Sequence, residues 1–143
     1  MRIRTWMFDA PEPQRPLWKV ILWWELRRIP FNLIVGVYGI SCLAVFFWAI
    51  LTSGVLQGGE DAVEPLALLA APFVINFFYT LGWLVEVAAR IAMPQLSPRF
   101  GPILLLAGLG FGLFLITLPA AFWLGYRVLQ LLGVVSITNG PPQ

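Results

Sequence analysis

Three long apolar runs, separated by shorter polar segments, dominate the hydrophobic pattern of the chain. The clearest run lies between Arg99 and Arg127, and no charged residue interrupts it. About 20 apolar residues are enough to cross a hydrocarbon core of ~30 Å, and each of the three runs reaches that length. We therefore predict an all-α integral membrane protein with three transmembrane helices, at about residues 31–51, 65–86 and 101–126.

A tryptophan-rich, basic segment precedes the first run. Residues 17–32 are too short and too charged to form a span of their own. Indole rings favour the headgroup layer, and arginine side chains reach lipid phosphates, including those of anionic lipids. Because the residue before a proline avoids the α region, we predict a separate interfacial helix that ends at Pro30. Its anchoring residues are Trp18, Trp23, Trp24, Arg27 and Arg28; the alternative is that the segment docks on a partner subunit.

The remaining segments outside the spans are polar and rich in proline or glycine. Pro11, Pro13 and Pro16 favour an extended arm over residues 1–15, so residues 1–30 form a cytoplasmic arm followed by the interfacial helix. Residues 31–135 form the transmembrane domain, and residues 136–143 an irregular external tail. In the linker between the first and second spans, three carboxylates within five residues could hold a hard cation. They lack a calcium-loop pattern, which favours a solvated acidic loop. These carboxylates belong to Glu60, Asp61 and Glu64.

The distribution of lysine and arginine predicts the orientation. Six basic residues precede the first span and none lies in the first linker, which places the N-terminus in the cytoplasm and the C-terminus outside. The competing topology divides the third run at Pro119 into two crossings. Each half would be only about 16 residues long, short of the ~20 needed to span, so we favour three crossings.

Polar and small residues within the spans predict how the helices pack. Asn76, near the middle of the second span, needs a hydrogen-bond partner, and we expect Ser41 or an exposed carbonyl to supply it. The third span carries two pairs of small residues at a spacing of four, on opposite faces. We predict that the first pair packs inside the bundle and that the second pair faces another protein. A bulky side chain at Gly112 should therefore destabilise the fold more than replacement of Asn76. The pairs are Gly108 with Gly112 and Ala121 with Gly125.

Glu86 is the acidic residue at the C-terminal end of the second predicted span. A carboxylate inside a membrane usually marks an ion or proton path. However, the second span ends at about Val85, and Arg90 follows four residues after Glu86, in the favourable order for a helical ion pair. We therefore favour an exposed ion pair at the membrane boundary, worth only a few tenths of a kcal/mol. The alternative is a functional carboxylate.

Composition limits the chemistry. The chain has 143 residues, of which 59% are hydrophobic and 11% charged, and it contains no histidine. Without histidine the commonest ligand of haem, copper and catalytic zinc is missing, and the single cysteine, Cys42, lies in an apolar run as a small hydrophobe. We predict no cofactor and no metal, and the net charge of +2 gives no indication of nucleic-acid binding.

Three functional classes are compatible with these features. We favour a small accessory subunit of a larger respiratory, photosynthetic or transport complex, located in the bacterial cytoplasmic membrane and partnered by other membrane subunits and lipids. A homo-oligomeric channel or small transporter is the alternative, but it requires a polar path across the membrane. A lipid-modifying enzyme requires a nucleophile with a base, or a metal site, and the sequence offers no clear candidate for either.

Overall fold

The computed structural model describes residues 3–10, 16–55 and 65–135. Four helices account for most of this part of the chain: α1 (Ile3–Phe8), α2 (Leu17–Ser53), α3 (Pro65–Ala92) and α4 (Phe100–Leu131). Helices α2, α3 and α4 are each long and apolar enough to cross a membrane. The prediction of an all-helical, multi-pass membrane protein with three candidate spans is therefore confirmed.

The predicted separate interfacial helix is wrong, because α2 continues through Pro30 without a break. An internal proline removes one helical hydrogen bond and costs an isolated helix about 3 kcal/mol. Here Arg27 and Phe31, on either side of the proline, are both buried, so tertiary packing holds the helix together. With 37 residues, α2 is about 55 Å long and extends well beyond a hydrocarbon core of ~30 Å.

The N-terminal arm is also different from the prediction of an extended segment. Residues 3–8 form the short helix α1, and Met7 is buried against the bundle. The prolines begin only at Pro11, and a proline restricts itself and the residue before it, not residues several positions earlier. The arm is therefore free to fold where it has apolar side chains to bury.

Helix α4 packs along most of its length against α2. Its inward positions recur every three or four residues, as expected for one face of a helix. The main core cluster lies at the end of the bundle that carries α1, here called the α1 end, and a smaller cluster lies towards the opposite end, the Ser53 end. At the Ser53 end, Gln130 Nε2 donates a hydrogen bond to the Ser53 carbonyl (3.2 Å). The inward positions of α4 are Leu105, Leu109, Leu113, Ile116 and Ala120.

Helix α3 is the least buried of the three long helices. Among its described side chains, Tyr79 and Glu86 are the buried ones, and all three of its phenylalanines are exposed. Prolines lie inside both α3 and α4, at Pro72 and Pro119. Helix α4 is continuous through Pro119, as the three-crossing topology requires.

Candidate functional site: a buried carboxylate at the α1 end

Glu86 is the centre of a buried polar cluster at the α1 end. Its side chain is 0% exposed. One carboxylate oxygen, Oε1, pairs with Arg90 (2.8 Å to Nε and 2.7 Å to Nη2), and the other, Oε2, accepts a hydrogen bond from Trp24 Nε1 (2.6 Å). The ion pair with Arg90 thus exists as the spacing suggested, but it is buried and not exposed. The reason is that α2 continues past Pro30 and places Trp24 over the carboxylate.

Two glycines make room for this cluster. A Cβ at Gly101, at the start of α4, would lie under 3.0 Å from the Glu86 carboxylate, closer than real Cβ contacts come. A Cβ at Gly82 would lie 3.1 Å from the Trp24 ring. Sequence reasoning missed both glycines. The available signal was the position of Gly82, four residues before Glu86 and therefore on the same face of α3.

A line of polar contacts, here called the polar ladder, joins α2 to α3. It has three steps: Trp24 with Glu86, Arg28 Nη2 with Thr80 Oγ1 (3.1 Å), and Asn32 Nδ2 with Asn76 Oδ1 (3.0 Å). The α2 members recur every four residues and so share one helical face. The two helices run antiparallel, so each step along α2 moves back along α3. The ladder therefore starts at the α1 end and continues into the second predicted span.

Asn76 is paired with Asn32 and not with Ser41, which was one of the two expected partners; the other was an exposed backbone carbonyl. Ser41 is exposed, and its hydroxyl donates to the Val37 carbonyl of its own helix (2.9 Å). Because Asn32 is already level with Asn76, Ser41 lies nine residues further along α2, about 13 Å away along the axis. The amide of Asn76 also donates to the Pro72 carbonyl, one turn back on α3 (2.9 Å).

Arg27 fixes α1 to α2. It is 5% exposed, and its guanidinium donates to the carbonyls of Trp6 (2.6 Å) and Met7 (2.8 Å) in α1 and of Trp23 (3.1 Å) in α2. Its charge also lies over the rings of Trp23 and Trp6, at 3.9 and 4.6 Å from their centroids. Carbonyls at the end of a helix carry partial negative charge, which favours a cation there.

The five residues predicted to anchor the chain in lipid therefore do not share one environment. Trp23, Trp24 and Arg27 are buried inside the protein, because the continuous helix turns them towards α1 and α3. Trp18 is 60% exposed and remains free to contact lipid. Arg28 pairs with Glu25 (2.7 Å) in addition to Thr80.

The small-residue pairs of α4 have no close neighbours in the described part of the chain. A Cβ at Gly108, Gly112 or Gly125 would meet no heavy atom within 4 Å, and Ala121 is exposed. The expectation that Gly108 and Gly112 pack closely inside the bundle is therefore wrong. Larger side chains on α4 make the contact with α2, and the close approach of α3 falls at Gly101 instead.

The chemistry of the cluster is that of a neutralised ion pair. The carboxylate of Glu86 faces a guanidinium and an indole N–H, and both of its oxygens have partners. Within residues 3–10, 16–55 and 65–135, no group of three histidine, cysteine, aspartate or glutamate residues is placed to hold a metal ion. The acidic linker with Glu60, Asp61 and Glu64 lies outside the described residues, as does the tail at 136–143.

Fold and cluster together define the class as a multi-pass α-helical membrane protein with an ionic contact buried between its helices. Comparisons with models of protein families, with curated proteins and with solved structures found no match.

Proposed function

We propose that this protein is a small accessory or structural subunit of a larger integral membrane complex, of the respiratory, photosynthetic or transport kind. The observation that carries the proposal is the outward face of α4, here called the small-residue face: Gly110, Ala121 and Gly125, with Phe114 between them. Their spacing places these four residues on one side of the helix. All four are exposed, and no described atom lies within 4 Å of a Cβ at either glycine.

Such a face suits another transmembrane helix. Lipid gives helices no hydrophobic reason to associate, so association depends on close backbone approach and on hydrogen bonds between helices. Small residues permit that approach. The small-residue face is unused within the described part of this chain, which leaves it available to a second protein.

The interior supports a structural role. The polar side chains of the ladder contact one another across α2 and α3, and Arg27 is engaged with carbonyls of α1 and α2. Interactions of this kind join helices in a membrane.

We also propose no enzymatic activity, no cofactor and no binding of nucleic acid. We propose that the protein lies in the bacterial cytoplasmic membrane with its N-terminus in the cytoplasm.

Co-purification tests this proposal. A tagged copy, extracted from native membranes in mild detergent, should arrive with other membrane proteins in fixed stoichiometry. Gly125→Leu should lose those partners while the isolated protein keeps its helix content and melting temperature. The matched control is Gly36→Leu, the same change at an equally open glycine of α2. A wild-type protein that arrives alone contradicts the proposal.

A second candidate function, a homo-oligomeric channel or small transporter, is favoured by one observation. Glu86 is a fully buried carboxylate within α3, one of the helices long enough to cross a membrane, and such residues often mark ion or proton paths. Purified protein in liposomes with a trapped pH-sensitive dye distinguishes the two functions. An accessory subunit gives the proton leak of empty liposomes, whereas a flux that disappears in a Glu86→Gln variant that keeps its helix content in the liposomes supports the channel.

A further inference from the structure

An apolar cavity lies between the spanning helices, away from the polar ladder. Its volume is about 190 Å³, and its walls include Gly39, Cys42 and Phe46 of α2, Leu68 of α3, and Pro119 and Ala120 of α4. Leu68 and Pro119 are exposed, and Gly39 and Cys42 partly so, which makes the cavity a cleft open to the bilayer. Apolar cavities of this size do not hold ordered water, but they do accept apolar ligands.

Arg127 lies beyond this cleft along α4, just past the end of the third predicted span. Arg127 is seven residues beyond Ala120, two helical turns along the same face and about 10 Å further along the axis. Trp123, between them, packs against the cluster that contains Ala120, and Tyr126 adjoins its ring (5.7 Å between centroids). Tryptophan and tyrosine favour the headgroup layer, so we expect Arg127 near the depth of lipid phosphates.

The guanidinium of Arg127 has unused hydrogen-bonding capacity. Nη1 donates to Gln130 Oε1 (3.2 Å), whereas Nε is buried and has no hydrogen-bond partner. Arg28 and Arg90 also each have one buried nitrogen without a hydrogen-bond partner, but both arginines form ion pairs with glutamates, whereas no carboxylate of the described residues pairs with Arg127. A buried donor without a partner is costly, and a phosphate is the anion whose geometry matches an arginine.

We propose that the cleft and Arg127 together bind one anionic phospholipid. One acyl chain occupies the apolar cleft between α2, α3 and α4, and the phosphate accepts hydrogen bonds from Arg127. The negative charge of the ligand complements the positive charge of Arg127, and its acyl chain matches a cleft whose described lining residues are apolar apart from the thiol of Cys42. The acyl chain of the lipid lies in the gap between the three spanning helices, which none of their described side chains fills.

Native mass spectrometry tests the proposal directly. The full chain is reconstituted in nanodiscs of equal parts phosphatidylglycerol and phosphatidylcholine and released in the spectrometer. The wild type should retain one phosphatidylglycerol, and Arg127→Gln should lower that retention by about tenfold, the loss expected for one charge-assisted contact. Arg99→Gln removes the same charge at the opposite end of α4 and should leave retention unchanged. Equal retention in Arg127→Gln and wild type overturns the proposal, as does equal retention of the two lipids.

Cys42 provides a second readout that does not depend on ionisation in the spectrometer. It is the single cysteine of the chain and lines the cleft. Phosphatidylglycerol should slow the labelling of Cys42 by a membrane-permeant maleimide in detergent micelles, and should do so less in Arg127→Gln. Glycerol phosphate, which lacks acyl chains, should not slow it. Labelling that is unaffected by phosphatidylglycerol, or equally slowed by glycerol phosphate, contradicts occupation of the cleft by an acyl chain.

Discussion

Glu86 of α3 fills the space that a side chain at Gly101 of α4 would need. A Cβ at position 101 would lie under 3.0 Å from the carboxylate, and that carboxylate is held in place by Arg90 and Trp24. The start of α4 is therefore pressed against the one fully buried acid among the described residues. This contact brings all three spanning helices together at the α1 end.

Gly101→Ala should destabilise the protein. The new methyl group has no space unless the carboxylate moves, and overpacking of this kind costs about 1–3 kcal/mol. Gly108→Ala is the matched control on the same helix, because a Cβ there meets nothing within 4 Å among the described residues. It should be neutral or stabilising by up to about 1 kcal/mol, from helix propensity. Thermal unfolding in detergent measures both, and equal effects at the two positions would show that Gly101 is not a close contact.

Glu86→Gln should also destabilise the protein, contrary to what an exposed pair would give. Removing one partner of a buried ion pair leaves the other charge uncompensated, at a cost of about 3 kcal/mol. Trp24→Phe removes the donor to the other oxygen and should cost about 1–3 kcal/mol. The double variant should cost less than the sum of the two, because both changes disrupt one network. Additive effects would mean that Trp24 and Glu86 are not coupled.

The Asn32–Asn76 bond should contribute roughly 1 kcal/mol, as hydrogen bonds between membrane helices do. Asn76→Leu and Asn32→Leu should therefore destabilise the bundle by similar amounts, and the double variant by little more than either. Ser41→Ala is the control, since Ser41 bonds only to its own helix turn among the described residues. If Ser41→Ala destabilised the bundle more than Asn32→Leu, the partner of Asn76 would be Ser41 and not Asn32.

Arg27→Lys should release α1 from the bundle. Lysine keeps the charge but loses the planar fork that reaches the Trp6 and Met7 carbonyls and stacks on the tryptophan rings. Hydrogen exchange followed by mass spectrometry should show faster exchange over residues 3–8, with little change at the Ser53 end. Arg28→Lys serves as the comparison, because Arg28 contacts α3 and not α1. Unchanged exchange in Arg27→Lys would mean that Met7 packing alone holds α1.

The helical fold was predictable because a membrane imposes few alternatives. Long uncharged runs must form helices that satisfy their own backbone, and the start of α3 at Pro65 follows from the ease with which proline occupies the first helical position. The end of the interfacial segment was not predictable from Pro30. The conformational preference of the residue before a proline opposes a continuous helix at Pro30. The burial of Arg27 and Phe31 outweighs that preference, and this burial depends on contacts with residues distant in sequence.

The candidate site was only partly visible in the sequence. The spacing of Glu86 and Arg90 indicated their pair, but its burial depends on Trp24, 62 residues away. The glycine pattern of α4 drew attention to Gly108 and Gly112, whereas the close contact falls at Gly101, which belongs to no such pattern. A small-x-x-x-small spacing shows that a helix can be approached closely; it does not show by what.

Photo-crosslinking from Phe114 tests the central claim most directly. Phe114 is 58% exposed and lies in the middle of the small-residue face, and p-benzoylphenylalanine is similar to it in shape and polarity. Illumination of native membranes that carry this variant should yield a crosslinked band containing a different membrane protein, and Gly125→Leu in the same chain should remove that band. Crosslinks to lipid alone, or only to a second copy of this chain, would contradict the assignment of this protein as an accessory subunit.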